Sequence, residues 1–297
     1  MADSQSGGEW NQVKRKGRRI RNVVQSTSQD NDAPSALQPN PNPEHSVTDL
    51  VGYHEKVSKK FKESSCWENI EKLFSFVLSN HEKPVITKAV CLGTGPYDPY
   101  DGSAQARWTA HMQTAAFNAV VELIREKTGQ EIKCFIQEPR FTQFDKDFCA
   151  KLGLDAVDSP TGFDLVDKNT LLFGIHLEIE ICNLALKALP VVLIGTGLEE
   201  WLKVHPRASK EEPGSLHRFF DVEDTHTQYT FPDLDFIFSS TSMYWRKDEQ
   251  NPVNTPVIPE KDASTDQEAG SSPDITVLLR PLDTLRLTNS GNSDTQR

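Results

Sequence analysis

At 297 residues the chain is long enough for one large α/β domain with tails. A net charge of −11 argues against a nucleic-acid binder acting through its whole surface. A hydrophobic content of 36% with a mean hydropathy of −0.53 points to polar tails diluting an ordinary core.

Residues 1–43 are rich in Ser, Gln, Asn, Asp and Pro, and are expected to be a disordered tail. Within it, six of the eight residues from Lys14 to Arg21 are basic: Lys14, Arg15, Lys16, Arg18, Arg19 and Arg21. Such an arm reads as a nuclear-import signal, as a nucleic-acid contact, or as a solvated tail. Residues 44–83 carry two helical apolar stripes, Val47-Leu50-Val51-His54-Val57-Phe61 and Trp67-Ile70-Leu73-Phe74-Val77-Leu78. Residues 84–245 form the expected α/β domain, opening on the strand Ala89-Val90-Cys91-Leu92.

A long helix is expected from Ala104 to Lys127, stopped by Gly129. Strand Ile132 to Gln137 follows, ending at Glu138-Pro139. Next come helix Phe144 to Leu152, strand Leu154 to Val157 and an irregular Ser159-Pro160-Thr161-Gly162. Strand Thr170 to Ile175 then leads to His176, helix Ile179 to Leu189, and strand Pro190 to Ile194 ending at Gly195-Thr196-Gly197. Residues 203–230 read as a loop with a partial helix, and Leu234 to Phe238 as a sixth strand ending at Ser239-Ser240. Residues 246–297 read as a second disordered tail, with Ile275 to Leu279 as a segment able to dock. The alternation with near-continuous apolar strands implies a three-layer, Rossmann-like α/β sandwich with a mainly parallel sheet.

The five cysteines, Cys66, Cys91, Cys134, Cys149 and Cys182, form no C-x-x-C pair and read as reduced thiols. No secretory pattern opens the chain, and no apolar run approaches membrane-spanning length. A cytoplasmic or nuclear protein without membrane contact is expected. Nucleic acid is expected, if anywhere, only at the basic arm.

The site is sought where strands of a parallel sheet end. Gly93-Thr94-Gly95-Pro96-Tyr97 sits at a strand-to-helix turn, where glycine permits φ > 0 and close approach of another molecule. The helix beyond it would favour an anion. The third glycine of G-x-G-x-x-G is replaced by Asp98, and both a ligand-binding loop and a bare turn satisfy the pattern. Glu138, His176, Gly195, Thr196 and Ser240 are placed at the same edge. Glu138 is at the position of a ribose-binding acid, but about twice as far along the chain as the roughly 20 residues usual. No catalytic residue and no metal site is assigned. His176-Leu177-Glu178 lacks the P-C-x-x-C of zinc deaminases, and neither G-x-S-x-G nor H-E-x-x-H is present.

From Lys88 to Trp245 the chain resembles the SRR-like family, named for "sensitivity to red light reduced". The resemblance rests on an ordered set: Cys91-Leu92-Gly93-Thr94-Gly95, Gln137-Glu138-Pro139, Lys151-Leu152-Gly153-Leu154, Thr170-Leu171-Leu172-Phe173 leading to His176, Gly195-Thr196-Gly197, and Ser239 to Trp245. It implies a regulatory protein, since the family is linked to circadian and light-response control in plants and to haem metabolism in animals. The family brings no accepted catalytic residues. Its frequent Pro-His-Cys is Ile175-His176-Leu177 here, and no cysteine precedes a proline, so the usual haem contacts are missing from this sequence. Cofactor and protein partners are left open. Three functions are carried: a non-enzymatic SRR-like regulator with an anionic or nucleotide-like ligand, an S-adenosylmethionine-dependent methyltransferase-like enzyme, and a scaffold acting through its tails. Methyltransferases usually end in an antiparallel hairpin, whereas only one terminal strand is expected here.

Overall fold

The computed structural model describes residues 39–81 and 83–247. The basic run Lys14 to Arg21, the segment Ile275 to Leu279 and most of both expected tails lie outside these residues. Two helices come first, α1 (Val47–Lys62) and α2 (Ser65–Asn80), each started by a serine whose side chain accepts a backbone N–H three residues on. Then come β1 (Lys88–Leu92), α3 (Ala104–Thr128), β2 (Lys133–Gln137), α4 (Gln143–Lys151), β3 (Asp155–Ala156), α5 (Thr161–Asp164), β4 (Thr170–Gly174), α6 (Ile179–Ala185) and β5 (Val192–Thr196). The domain closes with α7 (Leu198–Val204), α8 (His217–Thr225), β6 (His226–Thr230) and β7 (Thr241–Arg246).

The sheet order is β3-β2-β1-β4-β5-β7-β6. Strands β1 to β5 pair in parallel, and β7 runs antiparallel to both its neighbours. Period-2 alternation sends successive residues to opposite faces. Ala89, Cys91, Leu171, Phe173, Ile194 and Trp245 join the core shared with α1 to α4. Val90, Leu92, Leu172, Leu193 and Tyr244 join the core shared with α6 to α8. Burial on both faces is why these strands read as near-continuous apolar runs, and the result is the expected three-layer α/β sandwich.

Two expectations are corrected. Leu234 to Phe238 is a turn rather than a strand. The Asp233 carboxylate accepts the Phe238 N–H at 2.9 Å, the Leu234 carbonyl accepts from Ile237 at 2.9 Å, and Asp235 and Phe236 adopt left-handed φ of 51° and 64°. Its apolar residues Ile237 and Phe238 are buried as anchors of this turn instead. The strands lie on either side of it, so the described residues close on an antiparallel β6–β7 hairpin where a single strand was expected. Gly195 and Thr196 are likewise not a turn: they pair with Ser242 and Thr241 as the last two residues of β5.

Candidate functional site

Because β1, β2, β4 and β5 are parallel and β7 is reversed, the carboxyl ends of the first four and the start of β7 share one edge. The strand order reverses between β1 and β4, which makes a topological switch point there. Gly93, Thr94, Gly95, Glu138, His176, Gly195, Thr196 and Ser240 therefore all belong to that edge. Tyr97 does not face it. Its ring is fully buried against His111, Phe141 and Phe148, and its hydroxyl lies 2.8 Å from Thr114 Oγ1.

The glycine loop is fixed by its own protein. Gly93 and Gly95 have φ of 69° and 85°, the region glycine enters without strain. The Gly93 N–H donates to the Gln137 carbonyl at 2.9 Å, prolonging the β1–β2 ladder. The Gly95 N–H donates to Glu138 Oε2 at 3.0 Å. Glu138 Oε1 accepts from the Arg140 backbone N–H at 3.1 Å and from Arg140 Nε at 2.8 Å. Glu138, 4% exposed at its side chain, is thus an internal anion clamped between the loop and Arg140.

Leu177 stands at the switch point. A Cβ on Gly93 would lie 2.3 Å from Leu177 Cδ2, and one on Gly174 would lie 2.5 Å from Leu177 Cδ1. The side chain is wedged between the ends of β1 and β4. The turn that carries it has His176 exposed at φ 54°, with its Nε2 lying 2.8 Å from the Ser239 carbonyl. Ser240, next along, has φ 59°. Asp235, Phe236, His176 and Ser240, the left-handed non-glycine residues of the described chain, all sit in the two loops at this edge. Such strain persists only where surroundings impose it, and it gathers at ligand sites.

The loop's far end is anchored by two buried acids. Asp145 accepts the Tyr97 N–H at 3.1 Å and both the N–H and the hydroxyl of Thr142; burial raises its pKa against these bonds. Asp98 accepts the N–H groups of Glu44 and His45 at 2.6 and 3.1 Å, and Arg107 Nη2 at 3.3 Å. Asn40 donates to the Asp98 carbonyl at 3.2 Å, so contact with the domain begins before the expected boundary at 44. Behind them His54 and His111 meet Nδ1 to Nδ1 at 3.3 Å, and burial pushes both imidazoles down, to about 4 and about 2. The cysteine thiols are all buried and unpaired with one another; burial pushes those of Cys66, Cys149 and Cys182 up to about 12.

Helix α3 does not begin at the glycine turn. It starts at Ala104 after the loop through Asp98, and the Ser103 hydroxyl already accepts the Ala106 N–H at 3.2 Å. Arg140 and Leu177 join this edge, and Asp98 anchors its loop, without belonging to any binding motif of the sequence. Arg140 carried a usable signal, a cation two residues past a strand-end acid. Leu177 carried none, because its role depends on packing against Gly93, which is distant in the chain. Among the described residues no group of three His, Cys, Asp or Glu side chains could hold a metal ion, and no helix is long and apolar enough to cross a membrane.

A family model described as the SRR1 domain matches residues 55–245. No curated protein matches the chain. Among solved structures, the crystal structure of Thermoplasma acidophilum 1320 is similar at 7% identity and a TM-score of 0.33, covering 67% of this chain and 98% of that one.

Proposed function

The chain belongs to the SRR1 domain family, and from that premise we propose that it is a non-catalytic regulator that takes a small anionic, nucleotide-like ligand at the β1–β4 edge. The observation that carries this reading is the glycine loop at the switch point, with two left-handed glycines, Gly93 held by the Gln137 carbonyl and Gly95 by the Glu138 carboxylate. A non-catalytic role is supported by the engagement of the strand-end acid. Glu138 uses both oxygens within the protein, accepting from Gly95 and twice from Arg140. The regulator works in the cytoplasm or nucleus, with Lys14 to Arg21 as its import signal.

A second reading is favoured by one specific observation. The order β3-β2-β1-β4-β5-β7-β6 with β7 reversed supplies the terminal hairpin of a methyltransferase-like domain. The two readings part in a thermal-shift panel of nucleotides, phosphate compounds and S-adenosylmethionine on the full chain, followed by a methyl-transfer assay on any protein or small-molecule acceptor the chain is found to bind. Saturation at 100 times Kd stabilises the folded state by about 2.7 kcal/mol. Gly95→Ala is the matched control. Its Cβ would meet Arg140 Nη2 at 3.5 Å and Ala110 Cβ at 4.0 Å, ordinary contacts, so the variant carries only the left-handed strain of about 1–2 kcal/mol at φ 85°, and should fold with lowered stability and lose the ligand-induced shift. A wild-type chain that no member of the panel stabilises would sink both readings.

A further inference from the structure

We infer that Arg140 is the oxyanion-recognising side chain of this edge, and that the group it takes is a phosphate or carboxylate of the ligand. The inference rests on the ligand-binding reading above and deepens it. Phosphate-binding glycine loops offer backbone N–H groups to the anion. Here that role is closed to the ligand at Gly95, because its N–H donates to Glu138. The strand-end acid is largely taken up too, because Glu138 Oε1 accepts twice from Arg140 and Oε2 accepts from Gly95. What the arrangement presents instead is a guanidinium.

Arg140 is held by one edge only. Its Nε is fixed 2.8 Å from Glu138, while Nη1 and Nη2 make no hydrogen bond to any described residue. The side chain is 36% exposed, and Nη2 lies 3.5 Å from the position a Cβ on Gly95 would occupy. The missing side chain at Gly95 therefore leaves the floor beneath the guanidinium clear. A guanidinium tethered through Nε keeps its paired Nη donors free, and these match two oxygens of a phosphate or carboxylate. Glu138, being buried, limits the rotamer freedom that Arg140 would lose on binding, so the fork is oriented before the ligand arrives. Leu177 supplies an apolar wall at the neighbouring switch point.

The test uses two matched pairs of probes on the full chain: AMP against adenosine, and S-adenosylmethionine against 5′-methylthioadenosine. Each pair shares its nucleoside: the first differs by a phosphate alone, and the second by an amino-acid carboxylate together with an ammonium and a sulfonium, neither of which a guanidinium would attract. Titration calorimetry on wild type should show the oxyanion-bearing member of one pair binding roughly 10- to 100-fold tighter than its partner. Arg140→Gln should abolish that difference and leave affinity for the partner unchanged, while Arg140→Lys keeps part of it. Circular dichroism and melting of both variants check that they fold. If Arg140→Gln keeps the full difference while Gly95→Ala loses binding, the role of Arg140 is overturned and the site stands. If wild type binds no probe of either pair, the site and the role of Arg140 fall together.

Discussion

Replacing Gly93 with Ala tests whether Leu177 fills the switch point. At φ 69° an alanine carries about 1–2 kcal/mol of left-handed strain. Its Cβ would also fall 2.3 Å from Leu177 Cδ2, deep inside contact distance. Leu177 is only partly buried, but its other branch faces Gly174, so it cannot turn away freely. Displacing it adds about 1 kcal/mol, the lower end for overpacking. Gly93→Ala should thus cost about 2–3 kcal/mol alone. In a Leu177→Ala background only the strain remains, about 1–2 kcal/mol. The coupling of about 1 kcal/mol exceeds the roughly 0.3–0.5 kcal/mol within which independent sites add. Urea unfolding followed by tryptophan fluorescence reads it, since Trp67 and Trp245 are buried in the core. If the two single effects add within that margin, Leu177 does not occupy the crevice, and its place as a wall of the site is wrong.

Acid should weaken the fold from near neutrality. Burial holds His54, His111 and His226 well below the ordinary imidazole value, at about 4, about 2 and about 4, so all three stay neutral when folded and protonate near 6.5 when unfolded. Their contribution is complete above 6.5 and is lost as pH falls through the folded values, at about 1.4 kcal/mol per pH unit for each. Asp145, whose pKa burial raises, works in the opposite sense at the acid end. His54→Phe should flatten the slope of urea stability between pH 6.5 and about 4; an unchanged slope would exclude His54 as a contributor. Asp98→Ala should cost roughly 3 kcal/mol and free residues 44–45 for proteolysis, because it removes the carboxylate bonded to the Glu44 and His45 N–H groups, the His45 ring and Arg107. A cleavage rate near Glu44 equal to wild type would refute that anchoring role. Changing Lys14, Arg15, Arg18 and Arg19 together to Ala should move the protein out of the nucleus, and an unaltered nuclear fraction in cells would dismiss the import signal.

The α/β class, the five parallel strands and helices α1 to α4 were legible in the sequence because their signals are local. Apolar runs mark strands buried on both faces, 3.6-residue periodicity marks helices, and serine and glycine punctuate their ends. The family resemblance was legible for the same reason, since ordered short motifs survive in one dimension. The end of the domain was misread because Leu234 to Phe238 is as apolar as a strand, yet Asp233 and two left-handed residues fold it into a turn, while the polar His226–Thr230 pairs with β7. Pairing between strands is a property of neighbours, and composition alone cannot choose them. The candidate edge shows the same division. Its glycines announce a turn that needs φ > 0. Only the packed structure turns Glu138 inward onto Gly95, leaves the free edge of Arg140 outward, and brings Leu177 up to Gly93, because the Glu138–Gly95 and Leu177–Gly93 relations join residues far apart along the chain and these fix which way Arg140 points.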